Sequence, residues 1–188
     1  MSALIPILIA AGMSFMALAA LGLGKAKPTD AGAATFIIGF YMALISLFFA
    51  WFTIDPGTSA QLQGAYGALA GLSLTFPMIY MIAGYSNMKG YEIKGSGWGC
   101  IFFGLVWLAA GIFFWTVPSW SSPLALLYGI PQWFMGLMAV SWAWAFFTVP
   151  LLAFGKISAK LFGWTFLIET WYTLFIPSML LIFNGVLP

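Results

Sequence analysis

Glu169 is the one charged residue inside a long apolar stretch of this 188-residue chain. It falls nine residues after Lys160, about 14 Å along a helix rising 1.5 Å per residue. If that stretch crosses a membrane, the carboxyl sits near the middle of a hydrocarbon core about 30 Å thick. A charge at that depth costs several kcal/mol, so a buried ionisable residue is a functional candidate by default. Glu169 can exist there as a neutral acid, as a hydrogen-bonded carboxylate, or beside water. Thr165, Glu169, Tyr172 and Thr173 share one helical face by i, i+4, i+7 and i+8 spacing. A polar stripe on an otherwise apolar helix faces either a pore or a partner helix that it clamps by hydrogen bonds.

Two further stripes follow helical spacing. Trp133, Leu137, Val140 and Trp144 recur at i, i+4, i+7 and i+11, and Leu4, Leu8, Ala11 and Phe15 do the same. Either stripe could line a path or simply pack, because every face of these stretches is apolar. Trp51, Trp98, Trp115, Trp120 and Trp164 sit near expected helix ends, where indoles form interfacial belts. Trp142, Trp144 and Trp171 lie deeper, and a belt does not explain them.

The elements that must hold these residues follow from composition. Apolar residues make up 63% of the chain and charged residues 5%. A soluble domain carries roughly 25% charge, so a soluble globular fold is excluded. Continuous apolar runs of about 20 residues suit membrane-spanning helices. The alternation of a transmembrane barrel is missing. The runs and their breakers predict an all-α integral membrane protein, 1–188 as one transmembrane unit. Its six helices are expected near 3–23, 31–52, 64–85, 97–116, 132–153 and 161–187. The N-terminal run lacks the basic segment of an ordinary signal peptide.

All six lysines fall in the first, third and fifth loops, GKAKPTDAG, MKGYEIKGSG and GKISAKLFG. The positive-inside rule puts these loops in the cytoplasm and both termini outside. Their recurrence about every 65 residues predicts three helical hairpins with cytoplasmic tips. Small-residue faces should mediate helix packing: Gly32 with Gly39, Gly67 with Gly71, and Gly97 with Gly104 and Gly111.

Other chemistry is limited by what is missing. The chain has no His and no Arg, and Cys100 is its only cysteine. A Cys/His metal site has too few ligands, and the commonest general base is lacking. No cofactor is expected, and no enzyme activity. A net charge of +2, spread over loops, does not suit nucleic acid. The open functions are a channel, a carrier, or a non-conducting structural or assembly subunit. Carriers usually need more than one intramembrane ionisable group.

The last helix reads Trp164-TFLI-Glu169-TWYTLFI-Pro177. With AYGALAGL at 65–72 and GLGKAKP at 22–28, it resembles the AmiS/UreI family of urea and short-chain amide channels. The order and spacing of these segments carry the resemblance. It implies a hexameric ring in the inner membrane of a bacterium. Each protomer would have its own pore for urea or a small neutral amide, and lipid would plug the central hole. Glu169 would be the buried glutamate of the last helix. The helix-5 tryptophan ladder would fall on Trp133, Leu137, Val140 and Trp144, the helix-3 lining on Leu74 and Met78, and the helix-1 lining on Leu4, Leu8, Ala11 and Phe15. Two rungs of the ladder are not tryptophan here, which suits a wider or more apolar pore. The acid-gated member has a long second loop with histidines; this loop is about ten residues with Asp55 and no His, so gating by that route is not expected.

Overall fold

The structure is a computed structural model that describes residues 5–57, 59–116 and 130–184. Its helices are α1 (Ile5–Gly22), α2 (Pro28–Trp51), α3 (Ala60–Lys89), α4 (Lys94–Thr116), α5 (Gln132–Ala153) and α6 (Ala159–Glu169). A π-helical turn (Thr170–Phe175) then leads into α7 (Ile176–Asn184). With α6, the π turn and α7 taken as one span, six helices among the described residues are long and apolar enough to cross a membrane.

The helix ends differ in places from those expected, and the expected ends at 3 and 187 lie outside the described residues. Helix α3 runs from 60 to 89 rather than 64 to 85, and α4 begins at Lys94 rather than 97. Apolarity marks the hydrocarbon span, whereas helical hydrogen bonding continues into the interface. Pro28 opens α2 instead of ending a loop, because a first-turn proline gives up no helical hydrogen bond. The sixth span is interrupted. Pro177 has no N–H to offer the carbonyl one turn back, and just before it the ladder widens, with Ile176 N–H bonding the Trp171 carbonyl.

Each lysine-bearing tip is built the same way. Gly24, Gly90 and Gly155 take φ of 70°, 69° and 68°, a left-handed conformation that glycine adopts without penalty. The residue after each glycine then donates back to the helix: Lys25 N to Ala20 O (2.7 Å), Tyr91 N to Ser86 O (2.9 Å) and Lys156 N to Leu151 O (2.7 Å). This C-capping arrangement satisfies carbonyls that the helix end leaves open. The three tips share one geometry at one end of the bundle.

Packing pairs α2 with α3 and α4 with α5 most extensively, while α1 lies against both α2 and α6. Glycines permit the closest approaches. A Cβ on Gly32 would come within 2.7 Å of the Gly84 carbonyl oxygen, and one on Gly84 within 2.7 Å of Gly32 O. Gly97, Gly104 and Gly111 seat α4 on Pro150, Phe147 and Val140 of α5. Gly71 meets nothing within 4 Å, so the Gly67/Gly71 pair does not serve packing within the protomer as α2 and α4 glycines do. Phe15 of α1, Phe76 and Tyr80 of α3, Trp107 of α4 and Trp142 and Phe146 of α5 lie in the interior, and Phe76 touches the other five.

Candidate functional site

Glu169 ends α6 and is 7% exposed. It lies ten residues past Ala159, about 15 Å from the lysine end of its helix. Ser141, on α5, places Oγ 2.7 Å from both Oε1 and Oε2, so one hydroxyl proton is shared between the two carboxyl oxygens. Thr173 Oγ1 lies 3.4 Å from Oε2 and donates to the Glu169 carbonyl at 2.8 Å. Among the described residues, Glu169 has no cationic partner; Lys94 pairs with Glu92 (3.0 Å) at an exposed tip. The carboxyl is therefore held by neutral hydroxyls, the arrangement that leaves it an acceptor in an apolar setting.

The π turn decides which residues join it. Glu169 and Thr173 both face inward, while Tyr172 swings out to 46% exposure. Thr165 spends its hydroxyl on the Leu161 carbonyl one turn back (3.1 Å). The four-residue polar stripe read from ideal helical spacing thus narrows to Glu169 and Thr173. A regular α-helix would have kept Tyr172 on that face; the wider turn does not.

Beside it lies an aromatic cluster. The Trp107 and Trp142 rings are 4.8 Å apart and perpendicular, and both pack on Phe76 at 5.3 and 5.4 Å. Toward the lysine end, Phe15, Tyr80 and Phe166 close around one another, with Phe15 4.6 Å from Phe166 and 6.2 Å from Tyr80. Below them opens an apolar cleft of about 50 Å³. Its walls include Leu18, Ile79, Phe146 and Val149, with Asn87 and Ser96 also on its lining. Tyr80 lines it too, and its buried hydroxyl has no hydrogen-bond partner among the described residues. A buried hydroxyl without a partner costs roughly 1–3 kcal/mol, so a group that could bond it would be held there.

The other expected site residues are distributed unevenly. Leu8, Ala11 and Phe15 are buried, and Phe15 reaches the aromatic interior; Leu4 lies outside the described residues. Trp133 and Trp144 point away from the protomer interior, and Leu137 and Val140 are half-buried. Val140 sits against Gly111 of α4. Leu74 and Met78 are also exposed, whereas Phe76 and Tyr80 of the same helix are buried. The structure does not gather these outward positions around Glu169. The interior-facing residues of α5 are instead Met138, Trp142, Ala145 and Phe146, with Ser141 at their edge. On a helix apolar all round, a shift of one or two residues selects a different face and leaves no mark in the hydropathy.

Ser141, Thr75, Phe76, Tyr80 and Trp107 escaped the sequence reading. Trp142 had a signal, since its depth made a belt role untenable. Ser141 carried none, because a lone serine in an apolar helix usually bonds its own backbone. Cys100 is buried, and no metal-binding cluster occurs among the described residues.

Comparison with known proteins agrees with this architecture. The family profile of AmiS/UreI family transporters matches residues 3–185. The chain is similar in structure to the Helicobacter pylori urea channel in its closed state, seen by cryo-electron microscopy. That match has a TM-score of 0.78 and 19% identity, covering 98% of this chain and 100% of the other. A crystal structure of the urea channel from the same organism gives 0.77 and 17%, over 98% and 99%. At these identities the likeness shows a shared fold. None of the curated proteins matches the chain. The profile match spans nearly the whole sequence, and the chain belongs to the AmiS/UreI family, a family of membrane transporters rather than enzymes.

Proposed function

We propose that this AmiS/UreI transporter is a passive channel for urea or small aliphatic amides, with the solute path inside the protomer, past Glu169 and out through the Tyr80 cleft. The observation that carries the reading is the Ser141–Glu169 pair, a hydrogen-bonding station set among aromatic faces near mid-membrane. An amide leaving water loses hydrogen bonds worth about 1–3 kcal/mol each if none is replaced. Glu169 and Ser141 offer acceptor lone pairs to an NH₂ group, and the Tyr80 hydroxyl offers a donor to a carbonyl. Between them, flat rings supply dispersion contact to a planar solute. An ion gains too little there to offset its desolvation.

The path follows the interior residues Phe15, Phe76, Tyr80 and Trp142, not Trp133, Trp144, Leu74 and Met78, which face away from it in the protomer. The family resemblance extends the reading to a homo-oligomeric ring of six, its central hole filled by lipid. The ring would lie in a bacterial inner membrane, with the lysine tips cytoplasmic and both termini outside. With no His in the chain, the channel is not gated by histidine protonation.

Stopped-flow uptake of urea, formamide and acetamide into liposomes holding the purified protein tests the function. Uptake well above empty vesicles for at least one of them, with no ion conductance, is expected. No uptake above empty vesicles for any of the three would favour a non-conducting structural subunit.

A further inference from the structure

Both tryptophans of the central aromatic cluster have their N–H groups occupied in the same way. Trp107 Nε1 donates to Thr75 Oγ1 at 2.8 Å, and Trp142 Nε1 donates to Thr173 Oγ1 at 2.8 Å. Each threonine in turn commits its own proton to a backbone carbonyl, Thr75 to Leu72 (2.7 Å) and Thr173 to Glu169 (2.8 Å). The two threonines come from different elements, α3 and the π turn, and both tryptophans are 3% exposed. The same three-group chain, indole to hydroxyl to carbonyl, is thus built twice around one ring cluster.

We propose that Thr75 and Thr173 are specificity-determining residues that seal the indole donors. A solute crossing the central section then meets ring faces and no free N–H. The inference rests on the interior path proposed above. Conduction requires binding strong enough to admit a solute and weak enough to release it. A free indole N–H in a section poor in water would hold an amide carbonyl and slow its exit. Threonine suits the task because its proton goes to its own helix, leaving a lone pair for one indole. The seal consumes the donor and exposes no new one. Open polar groups then remain at the two flanks, Glu169 with Ser141 on one side and the Tyr80 hydroxyl on the other.

The test is the concentration dependence of formamide and acetamide flux in proteoliposomes. Thr173→Val removes the acceptor at nearly constant shape and frees the Trp142 N–H. The half-saturating concentration should fall roughly 3- to 10-fold, the worth of one net hydrogen bond, and maximal flux should fall with it. Trp142→Phe sets its own baseline, and adding Thr173→Val to it should move the half-saturating concentration no further, because no indole N–H is left to free. Thr75→Val with Trp107→Phe repeats the cycle at the second seal, should the Thr173 variant fail to fold. A purely structural threonine would lower melting temperature and flux without moving half-saturation, and the phenylalanine would not rescue it; that result overturns the proposal. So does a shift on adding Thr173→Val to Trp142→Phe that equals the shift it causes in the parent. A conducting parent with an unaltered Thr173→Val sinks the seal and spares the channel; a parent that passes no amide sinks both.

Discussion

The Ser141 hydroxyl sits 2.7 Å from each carboxyl oxygen of Glu169, so one serine on the fifth helix anchors the buried acid of the sixth span. Removing that donor leaves a buried carboxyl oxygen short of a partner, at a cost of about 1–3 kcal/mol. Ser141→Ala is therefore expected to lower the melting temperature in detergent and to reduce amide flux, while Ser141→Thr keeps both near the parent. Equal melting temperatures for Ser141→Ala and the parent would show that the bond contributes nothing.

The location of the path can be read with thiol chemistry. In a Cys100→Ala background, cysteine at Ser141 should react with a small methanethiosulfonate reagent, lose flux, and be protected by high acetamide. Cysteine at Trp144, on the outer side of the same helix, should stay unreacted with flux intact, because apolar surroundings keep a thiol neutral and only the thiolate attacks. The reverse pattern would move the path to the outer face of that helix.

Much of the fold was legible in the sequence, for physical reasons. Span number, the lysine-bearing ends and the α4 glycine face follow from hydropathy, charge and small residues, each of which the membrane constrains directly. Glu169 stood out because no other charge lies within a span expected from the apolar runs. Which face of α3 and α5 turns inward was not legible. Leu74 and Phe76, or Trp144 and Trp142, are equally apolar, and the choice is made by ring packing and by Trp–Thr hydrogen bonds between helices distant in sequence. The π turn was equally hidden, since Pro177 announces a disturbance without saying how the preceding turn absorbs it.

Helix packing gives a separate expectation. Gly84→Ala forces a methyl group to within 2.7 Å of the Gly32 carbonyl oxygen and should destabilise the protein by about 1–3 kcal/mol. Gly71→Ala meets open space and should leave the monomer's packing intact. Thermal melting monitored by retention of a monodisperse gel-filtration peak distinguishes them. A Gly84→Ala protein as stable as the parent would show that α2 and α3 separate easily.

Orientation and assembly are checked together. Cysteines introduced at Ser2, Ser59 and Ser122 should react with an impermeant reagent on intact cells, and cysteines at Lys25, Lys89 and Lys156 should not. Native mass spectrometry in mild detergent should show six copies. Labelling at the lysine positions inverts the topology, and a monomer or dimer removes the ring.

Flux should vary little between about pH 5 and pH 8, the interval over which a histidine would switch, because the chain has none. Stopped-flow uptake at matched external and internal pH measures this. A several-fold rise on acidification would show that another group gates the path.

Stopped-flow uptake of urea, formamide and acetamide into liposomes, compared between the parent and Glu169→Gln at equal protein content, bears most directly on the channel reading. Glutamine keeps the shape but loses half of the acceptor capacity that faces Ser141. Parent uptake well above empty vesicles is expected, falling several-fold in Glu169→Gln while the oligomer stays intact. Parent uptake no faster than empty vesicles would contradict a channel. Unchanged flux in Glu169→Gln, or loss of the oligomer with no separate effect on flux, would reduce Glu169 to a clamp between helices.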